Sequence, residues 1–572
     1  MEQETLNWIN LADKFAREGD PKGMRACARE LWNIDAGSMD GPAIMAEAAM
    51  YMGDYEESHA LVYEILQKKP AHLRGRLVAA ALAAMEFKLD EELPLLTRLL
   101  EELKTKLLAL TPDDNSYNAC VYLVQRARAL MADACYLAAR PETAAEMLLA
   151  YSKQAQDEEE KAETYSKYLF MRNYRDVGAI EGRQLAERYG KMLTIKPYQH
   201  EHKKKLPHKK LRVGYVSPDF RQHAVANFVA PLLRNFNSDR FSVYVYSTGQ
   251  KDEVTRRLMS NPVTWRDLRG RNPRTAARLI AEDNIDILVD LSGHSQNNCM
   301  PIMAYRPAPV QVAGIGYMNT TGLSTVDYFL SDEICLPTGN IAADGFTEQI
   351  LRLPHSHLCY TPGAVREIPE AGVEAPCRNN GYVTFGSFNN LAKITDETLL
   401  LWRGILEQVR SSKLVLKGKT LSIPSGKAIM RDRLKRLNFD LSKVEMRPYS
   451  PNYMEEYRDI DIALDTMPYN GGVTTCEALL MGVPVISLRG QRHGSRFGAS
   501  ILANAGVSEL VVENDINYVR RAVQLGSNQE LIAAYHSGLR ANLVKSPLMD
   551  AKNYMQELEN GYAGIWENFC TI

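Results

Sequence analysis

The chain has 572 residues, of which 45% are hydrophobic, and its 68 Lys and Arg residues nearly balance its 70 Asp and Glu residues. A chain of this length exceeds what one hydrophobic core normally holds, so we expect several domains. The formal net charge of −2 argues against a protein that binds nucleic acid through a broad basic surface.

The nine cysteines are scattered along the sequence and include no Cys-x-x-Cys pair. This usage argues against a disulfide framework and against a zinc site, and it favours a reducing compartment. No run of residues approaches the roughly 18 apolar residues of a membrane-spanning helix. We therefore expect a cytoplasmic protein with no membrane partner, no nucleic-acid partner and no bound metal.

Residues 1–195 are dominated by helix-forming residues, and apolar side chains recur at three- and four-residue spacing, as in 93–110. This spacing predicts an all-helical domain. Ala46 and the Gly-Asp-Tyr turn at 53–55 fit the helix-turn-helix pattern of a tetratricopeptide repeat. Neighbouring segments show the packing periodicity alone, so a degenerate repeat array and an irregular helical bundle both remain open.

Residues 196–212 are rich in lysine and contain two prolines. This composition predicts a basic linker between domains. A basic run is most often a solvated surface, and contact with an acidic partner is the alternative.

After the linker, short β-branched runs alternate with helical segments, which is typical of a parallel sheet covered by helices on both faces. The runs at 211–217, 241–247 and 285–293 belong to a first Rossmann-like domain over 213–375. We expect an irregular stretch between about 332 and 380.

A second series of β-branched runs follows in the rest of the chain. These runs lie at 382–389, 412–418, 443–448, 461–466 and 483–490. The series predicts a second Rossmann-like domain over 376–572 that binds a nucleotide. The fold class is therefore α/β, with two Rossmann-like domains after an all-helical repeat domain.

The strand predicted at 461–466 is followed by the sequence NGGVTT at 470–475, which leads into a helix. Glycines let the backbone approach a phosphate, while threonine hydroxyls and the N–H groups of a first helical turn donate to an anion. The pattern predicts a diphosphate site, and helix capping by the same residues is the alternative. The predicted contacts are Gly471, Gly472, Thr474 and Thr475.

Other polar residues follow predicted strands, where ligands of such sheets bind. Lys393 could neutralise a leaving diphosphate, a role that a metal ion has in other enzymes. Glu477, early in the helix after the glycines, could accept hydrogen bonds from ribose hydroxyls. His493 and Arg496 lie just beyond another strand and are candidate donor contacts or ordinary surface charges.

Two histidines follow strands of the first Rossmann-like domain. His223 is a candidate base or proton relay, because its ordinary pKa lies near neutrality, and a packing or capping role is the alternative. His294 has the same two interpretations. The Asp-Ile-Asp triplet at 459–461 resembles a metal-binding DxD, but Asp461 opens an apolar strand and the diphosphate already has uncharged donors, so we expect no metal there.

The segments LRVGYVSPDF, DILVDLSGH, YRPAPVQVAGIGY, VTFGSFNNLAKI and MGVPVISLRG occur in this order. Together with the 470–475 segment, they make residues 211–568 resemble the O-GlcNAc transferase group, which includes plant SPINDLY proteins. The resemblance implies two Rossmann-like domains in the GT-B arrangement after helical repeats that present a protein acceptor. It also implies a metal-independent transfer of a sugar from a nucleotide, with inversion at the anomeric carbon.

The resemblance also implies roles for individual residues. His223 would lie in the active site near acceptor and donor, and Lys393 would stabilise the diphosphate, with Asn390 as a neighbouring polar contact. Glu477 would contact the ribose. The residues that would hold the phosphates are Gly472, Thr474 and Thr475.

The sequence departs from many relatives in two loops. It has Gly-Tyr-Met-Asn-Thr at 316–320 where they have Gly-Tyr-Pro-Gly-Thr, and Tyr453 where bacterial relatives commonly have histidine. Both changes bear on the donor. The helical array is also too short for the long groove of the animal enzymes, which favours a narrow choice of acceptor.

The leading hypothesis is transfer of N-acetylglucosamine from UDP-GlcNAc to Ser or Thr of a bacterial protein, with flagellin as one candidate acceptor. One alternative keeps the fold and uses GDP-fucose or UDP-glucose as the donor, or asparagine as the acceptor. The other alternative is a repeat scaffold whose transferase half has become a binding module.

Overall fold

The structure is a computed structural model that describes residues 2–35, 37–201, 210–372 and 374–571. It divides into two compact units. Unit 1 comprises residues 1–168 and 420–432, and unit 2 comprises residues 169–419 and 433–572. The domain boundaries at 195 and 375 stay predictions.

The amino-terminal third is helical, as the sequence predicted. Its helices are α1 (Glu2–Glu18), α2 (Pro21–Ile34), α3 (Asp40–Tyr51), α4 (Tyr55–Lys68), α5 (Leu73–Met85), α6 (Leu89–Leu108), α7 (Tyr117–Leu137), α8 (Pro141–Gln154), α9 (Glu158–Arg172) and α10 (Ala179–Met192).

Helices α3 and α4 form the helix-turn-helix unit predicted around residue 53. Gly53 has a φ of +81°, a conformation that glycine adopts without steric cost. Asp54 then caps α4 by accepting a hydrogen bond from the Glu57 backbone N–H at 3.1 Å. The Ser58 hydroxyl donates to the Ala46 carbonyl at 2.8 Å, which allows the two helices to pack closely. Assignment to the tetratricopeptide class stays a prediction.

The basic linker predicted at 196–212 falls partly outside the described residues, because 202–209 are not described. The last helix before it ends at Met192, and the first strand after it begins at Leu211.

The first parallel sheet belongs to unit 2 and has the strand order β3-β2-β1-β4-β5-β6-β7. Its strands are β1 (Leu211–Ser217), β2 (Phe241–Ser247), β3 (Thr264–Asp267), β4 (Ile287–Asp290), β5 (Val310–Ala313), β6 (Tyr328–Asp332) and β7 (Gln349–Leu353). The helices between them are α11 (Ala226–Arg234), α12 (Glu253–Met259), α13 (Pro273–Glu282) and α14 (Met300–Ala304).

The second parallel sheet, also in unit 2, has the order β10-β9-β8-β11-β12-β13. Its strands are β8 (Val383–Ser387), β9 (Ser412–Lys417), β10 (Val444–Arg447), β11 (Ile462–Leu464), β12 (Val485–Leu488) and β13 (Val511–Val512). The helices of this part of the chain are α15 (Cys377–Asn380), α16 (Asp396–Gln408), α17 (Pro424–Arg436), α18 (Val473–Leu480), α19 (Phe497–Asn504), α20 (Asp515–Gly526), α21 (Gln529–Val544) and α22 (Ala551–Thr571).

The two parallel sheets confirm the predicted α/β class with two Rossmann-like halves. The central strands β4 and β5 are buried along their whole length, as expected where helices cover both faces of a sheet. One expectation is wrong: the stretch 332–380 is not uniformly irregular, since β7 lies within it. The run Gln-Ile-Leu-Arg-Leu is short and interrupted by polar residues, so its periodicity is weak.

The last helix, α22, packs against the first half of unit 2. The Glu559 carboxylate accepts a hydrogen bond from the Asn237 backbone N–H at 2.6 Å, and the Tyr554 hydroxyl donates to the His357 carbonyl at 3.1 Å. Among the helices described, none combines the length and the apolar character needed to cross a bilayer.

Candidate active site

The candidate site begins at the carboxyl ends of β8 and β11, which are neighbours in the second sheet. Lys393 follows β8, and residues 470–475 follow β11. Because parallel strands end at the same edge of a sheet, these two segments meet there. The structure thus brings together two features that lie far apart in the sequence.

Lys393 is held at this edge by its ammonium group. Its Nζ donates to the Asn470 carbonyl at 2.8 Å and lies 3.7 Å from the centre of the Tyr469 ring. Burial lowers the pKa of Lys393 to about 8, and the Asp465 carboxylate opposes this shift. Most of the amine is therefore still charged at neutral pH, but it loses its proton at a lower pH than an ordinary lysine does.

Asp465 is a member of the site that sequence reasoning missed. Its carboxylate accepts from the Gly471 backbone N–H at 2.7 Å and from the Ser487 hydroxyl at 2.6 Å. Burial raises the pKa of Asp465 to about 6. The residue is the penultimate one of the predicted strand DIALDT, but only the fold shows that it fixes the glycine turn.

The glycine turn and the start of α18 make up the segment 470–475, which the sequence predicts to hold a diphosphate and which we call the cradle. The Thr474 hydroxyl donates to the Asn389 amide oxygen at 2.8 Å, which connects the ends of β11 and β8. A Cβ on Gly471 would lie 2.6 Å from Thr475 Oγ1, so this glycine permits a close approach of side chains to the backbone. Gly472 immediately precedes α18, where backbone N–H groups favour an anion.

Asn389 makes this connection to the cradle, and the phosphate contact of the neighbouring Asn390 stays a prediction. The Asn390 side chain accepts from the Ala392 backbone N–H at 3.1 Å and caps the short turn that carries Lys393. The adjacent asparagines were visible in the sequence, but the sequence alone did not show which of them contacts the cradle and which caps the turn.

Glu477 lies buried in α18, with Tyr453 and Arg366 around its carboxylate. The Tyr453 hydroxyl donates to Glu477, and the Arg366 guanidinium lies 3.3 Å from the same carboxylate oxygen. Burial raises the pKa of Glu477 to about 7. Tyr453 is therefore hydrogen-bonded to Glu477. Arg366 contacts the same carboxylate, and the sequence did not indicate this residue.

His223 lies in the loop after β1, and 38% of its side chain is exposed. Its Nδ1 is 3.6 Å from the Asp219 carboxylate. Burial lowers the pKa of His223 below its ordinary value, and the positive charge of Lys419 in the second half lowers it further, while Asp219 opposes the shift. A neutral, partly exposed imidazole beside a carboxylate is suited to accept a proton.

His294 packs within the protein. Its Nε2 lies 2.9 Å from the Thr321 carbonyl, and its ring meets the edge of the Tyr189 ring at 4.7 Å between centres. Burial lowers the pKa of His294 to about 4. The geometry favours the packing interpretation over a catalytic role.

His493 and Arg496 are both buried beyond β12. His493 Nδ1 lies 3.3 Å from the Met318 carbonyl, and its ring packs among aromatic rings that include Phe329. The Arg496 Nε donates to the Gly490 carbonyl at 2.8 Å. Their roles as donor contacts stay predictions.

The Asp-Ile-Asp triplet serves the fold. The buried Asp461 carboxylate accepts from the backbone N–H groups of Cys377 at 2.8 Å and Thr384 at 2.7 Å, and Asp459 pairs with Arg447 at 2.7 Å. These partners agree with the expectation that the triplet is not a metal-binding motif.

The sequence model of glycosyl transferase family 41 matches residues 168–361 and 377–558, which is more than half of the chain. The chain belongs to glycosyl transferase family 41. The matched residues include both sheets and the Lys393 and glycine-turn segments described above.

Family 41 relatives include a tomato (Solanum lycopersicum) protein named probable UDP-N-acetylglucosamine–peptide N-acetylglucosaminyltransferase SPINDLY. It is 40% identical over 376 residues, which cover 64% of this chain and 40% of that protein. A protein of Arabidopsis thaliana, named as the corresponding transferase SEC, is 27% identical over 64% of this chain and 38% of its own length. The chain thus spans about two fifths of the length of these curated relatives.

Among solved structures, a mutant of the O-GlcNAc transferase of Thermobaculum terrenum has a TM-score of 0.77 and is 27% identical. The similarity covers 94% of this chain and 98% of that one. The family 41 arrangement of two Rossmann-like halves after a helical region is therefore shared by both chains.

Proposed function

We propose that this chain transfers a sugar from a nucleoside diphosphate to a protein side chain. The observation that carries the proposal is the partly buried Lys393 ammonium beside the glycine turn at 470–475, at the carboxyl edge of the second sheet. A cation and uncharged backbone donors together suit a diphosphate. The chain's membership of family 41 supports the same reaction class.

In the proposed reaction, the acceptor oxygen forms a bond to the anomeric carbon as the bond from that carbon to the diphosphate oxygen breaks. The bonding electrons leave with the diphosphate, and the configuration of the anomeric carbon inverts. Lys393 and the cradle stabilise the charge that develops on the leaving group. The acceptor proton passes to a base, for which the neutral His223 imidazole is the candidate.

The proposed donor is UDP-GlcNAc and the proposed acceptor is Ser or Thr of a protein, with flagellin as one candidate. The SPINDLY and SEC relatives are named as UDP-N-acetylglucosamine-dependent transferases, which supports this donor. The Tyr453 and Arg366 contacts to Glu477 support a polar ribose site next to the cradle. Presentation of the acceptor by the helices of unit 1 and a cytoplasmic location belong to the same proposal.

The first test is a thermal-shift panel of the full chain with UDP, UDP-GlcNAc, UDP-glucose, GDP and GDP-fucose. A ligand at a hundred times its Kd adds about 2.7 kcal/mol to the free energy of unfolding. We expect stabilisation by UDP and UDP-GlcNAc, of equal size with and without EDTA. A response confined to GDP compounds would move the proposal to a fucosyl donor, and no response to any nucleotide would contradict it.

The second test identifies the transfer itself. Incubation of the protein with labelled UDP-GlcNAc and lysate proteins should label a discrete acceptor, and mass spectrometry should place the sugar on Ser or Thr. Labelling on Asn would contradict the proposed acceptor chemistry while leaving the donor proposal intact.

A further inference from the structure

Three potential metal ligands lie together in unit 2. They are Cys335, His357 and His493, and one potential ligand atom of each, the Sγ or an imidazole nitrogen, lies within 4.8 Å of the other two. Their exposed fractions are 0%, 1% and 2%. The cluster is therefore closed to solvent.

The three side chains come from three different loops. Cys335 follows β6, His357 follows β7, and His493 follows β12 of the other sheet. The cluster thus joins the two Rossmann-like halves. Because the residues are far apart in sequence, no motif spacing revealed them, and the expectation of no zinc site rested on spacing alone.

The histidine tautomers follow from their hydrogen-bond partners. His357 Nδ1 lies 2.5 Å from the Asp332 carboxylate, and His493 Nδ1 lies 3.3 Å from the Met318 carbonyl. Both partners are acceptors, so each Nδ1 carries a proton, and Nε2 is the ring nitrogen left to bind a metal. Within the described residues, both Nε2 atoms are buried without a hydrogen-bond partner.

Two imidazole nitrogens without hydrogen-bond partners, beside a thiol, form a ligand set suited to a soft or borderline metal ion. Zinc binds cysteine sulfur and histidine nitrogen, and a carboxylate commonly holds the other nitrogen of a ligating histidine, as Asp332 does here. A Zn²⁺ ion, the Cys335 thiolate and the Asp332 carboxylate would together sum to zero charge. That balance matters in a site removed from water.

We propose that Cys335, His357 and His493 bind one zinc ion that connects the two halves of unit 2. Zinc bound at about 2.3 Å to sulfur and about 2.0–2.1 Å to nitrogen holds its ligand atoms roughly 3.3–3.6 Å apart. The side chains therefore need to close by about 1 Å. Three protein ligands leave the fourth tetrahedral position of the ion for a water molecule, which would enter the buried cluster together with the metal. This inference does not depend on the proposed transferase activity.

Metal binding would displace the proton of the Cys335 thiol, because the thiolate is the form of cysteine that binds a metal. In this proposal His493 holds the metal rather than contacts the sugar donor.

The test is metal analysis of the untagged full chain after dialysis against metal-free buffer. We expect about one zinc per chain, and loss of that zinc in Cys335→Ser and His493→Gln. Cys299→Ser is the matched control, because Cys299 is also a buried cysteine of the first half and lies outside the cluster, so it should retain zinc.

Cobalt replacement keeps the proposal testable if a variant folds poorly. Co²⁺ added to the metal-free wild-type chain should give a thiolate-to-cobalt charge-transfer band, and Zn²⁺ should abolish it. Zinc should also raise the Tm of the metal-free chain. If zinc, the cobalt band and the Tm shift are all absent, the cluster is only a buried polar group and the proposal is overturned. If the chain holds stoichiometric copper in place of zinc, the choice of metal is overturned.

Discussion

At the scale of single residues, the site depends on charges that the fold has displaced from their ordinary values. Lys393, Asp465 and Glu477 lie within one small region. Burial lowers the pKa of the lysine and raises the pKa of each carboxyl group, so it favours the neutral form of all three. Such shifts concentrate at functional sites. A bound diphosphate would raise the pKa of Lys393 again, because an adjacent anion favours the ammonium.

Removal of the Lys393 ammonium should slow turnover strongly. We expect Lys393→Ala to lower the rate of UDP release from UDP-GlcNAc by about 100- to 1000-fold, which is typical for loss of one preorganised electrostatic contact. Lys413→Ala is the matched control, because the Lys413 ammonium also contacts an aromatic ring, at 4.2 Å from the centre of Tyr382. Lys413 lies near the amino end of β9, whereas Lys393 follows the carboxyl end of β8. Equal rates in wild type and Lys393→Ala would remove the lysine from the proposed reaction.

The lowered pKa of Lys393 predicts an alkaline limit to activity. A lysine is charged below its pKa and neutral above it, so kcat/KM for the donor should fall as the pH rises through about 8. Lys393→Arg should lose this limit, since a guanidinium stays charged over that range. A wild-type profile that stays flat to the ordinary lysine range, near pH 10, would show that the charge of Lys393 is not what limits donor capture.

At the scale of elements, the cradle is a strand, a turn and a helix held by a neighbouring strand. Asp465 at the end of β11 orders the turn, and Asn389 beyond β8 holds Thr474. The predicted phosphate contacts therefore depend on side chains of two strands. The motif at 470–475 was recognisable in the sequence because its residues are consecutive. Asp465 and Asn389, which hold it in place, were not recognisable because they belong to separate segments.

A methyl group at Gly471 should disturb this element. Its Cβ would lie 2.6 Å from Thr475 Oγ1, 2.7 Å from Thr474 Oγ1 and 3.1 Å from Asn389 Oδ1. We expect Gly471→Ala to weaken UDP binding at least tenfold by calorimetry, because both hydroxyls must move. Gly404→Ala in α16 has open space at its Cβ and should bind UDP as the wild type does. Unchanged UDP affinity in Gly471→Ala would argue against the cradle.

At the scale of the whole molecule, the chain forms two compact units, and unit 1 takes residues 420–432 from a distant part of the sequence. Each unit has its own buried polar contacts. In unit 1, Arg74 is fully buried between Asp13 and Glu47, with a 2.8 Å contact to Glu47. The proposed donor site lies wholly in unit 2.

Loss of Arg74 should therefore destabilise unit 1 without changing donor binding. Removal of one partner from a buried ion pair leaves uncompensated charge and costs about 3–5 kcal/mol. Urea unfolding of Arg74→Ala should show this loss, and Arg29→Ala, at an exposed position of α2, should show almost none. A changed UDP affinity in folded Arg74→Ala would contradict the independence of the donor site from this network.

The sequence by itself determined the alternation of strands and helices and the chemistry of the most compact motif. Strands β1 and β2 were predicted with their full bounds because β-branched runs ended sharply at turns, and the turn at Gly53 was predicted because local backbone conformation depends on neighbouring residues. Strands β3, β6, β7 and β13 were not predicted. Strand β7, for example, is a strand only because it pairs with β6 along five residues.

The tertiary structure decided which distant side chains meet. Asp465 and Asn389 support the cradle, Arg366 reaches Glu477, and Cys335 joins His493 only because separate strands end at neighbouring sites. Local patterns arise from interactions over a few residues, whereas such clusters arise from the packing of two sheets. The same packing excludes water, and that exclusion shifts the pKa values that sequence alone leaves at their ordinary levels.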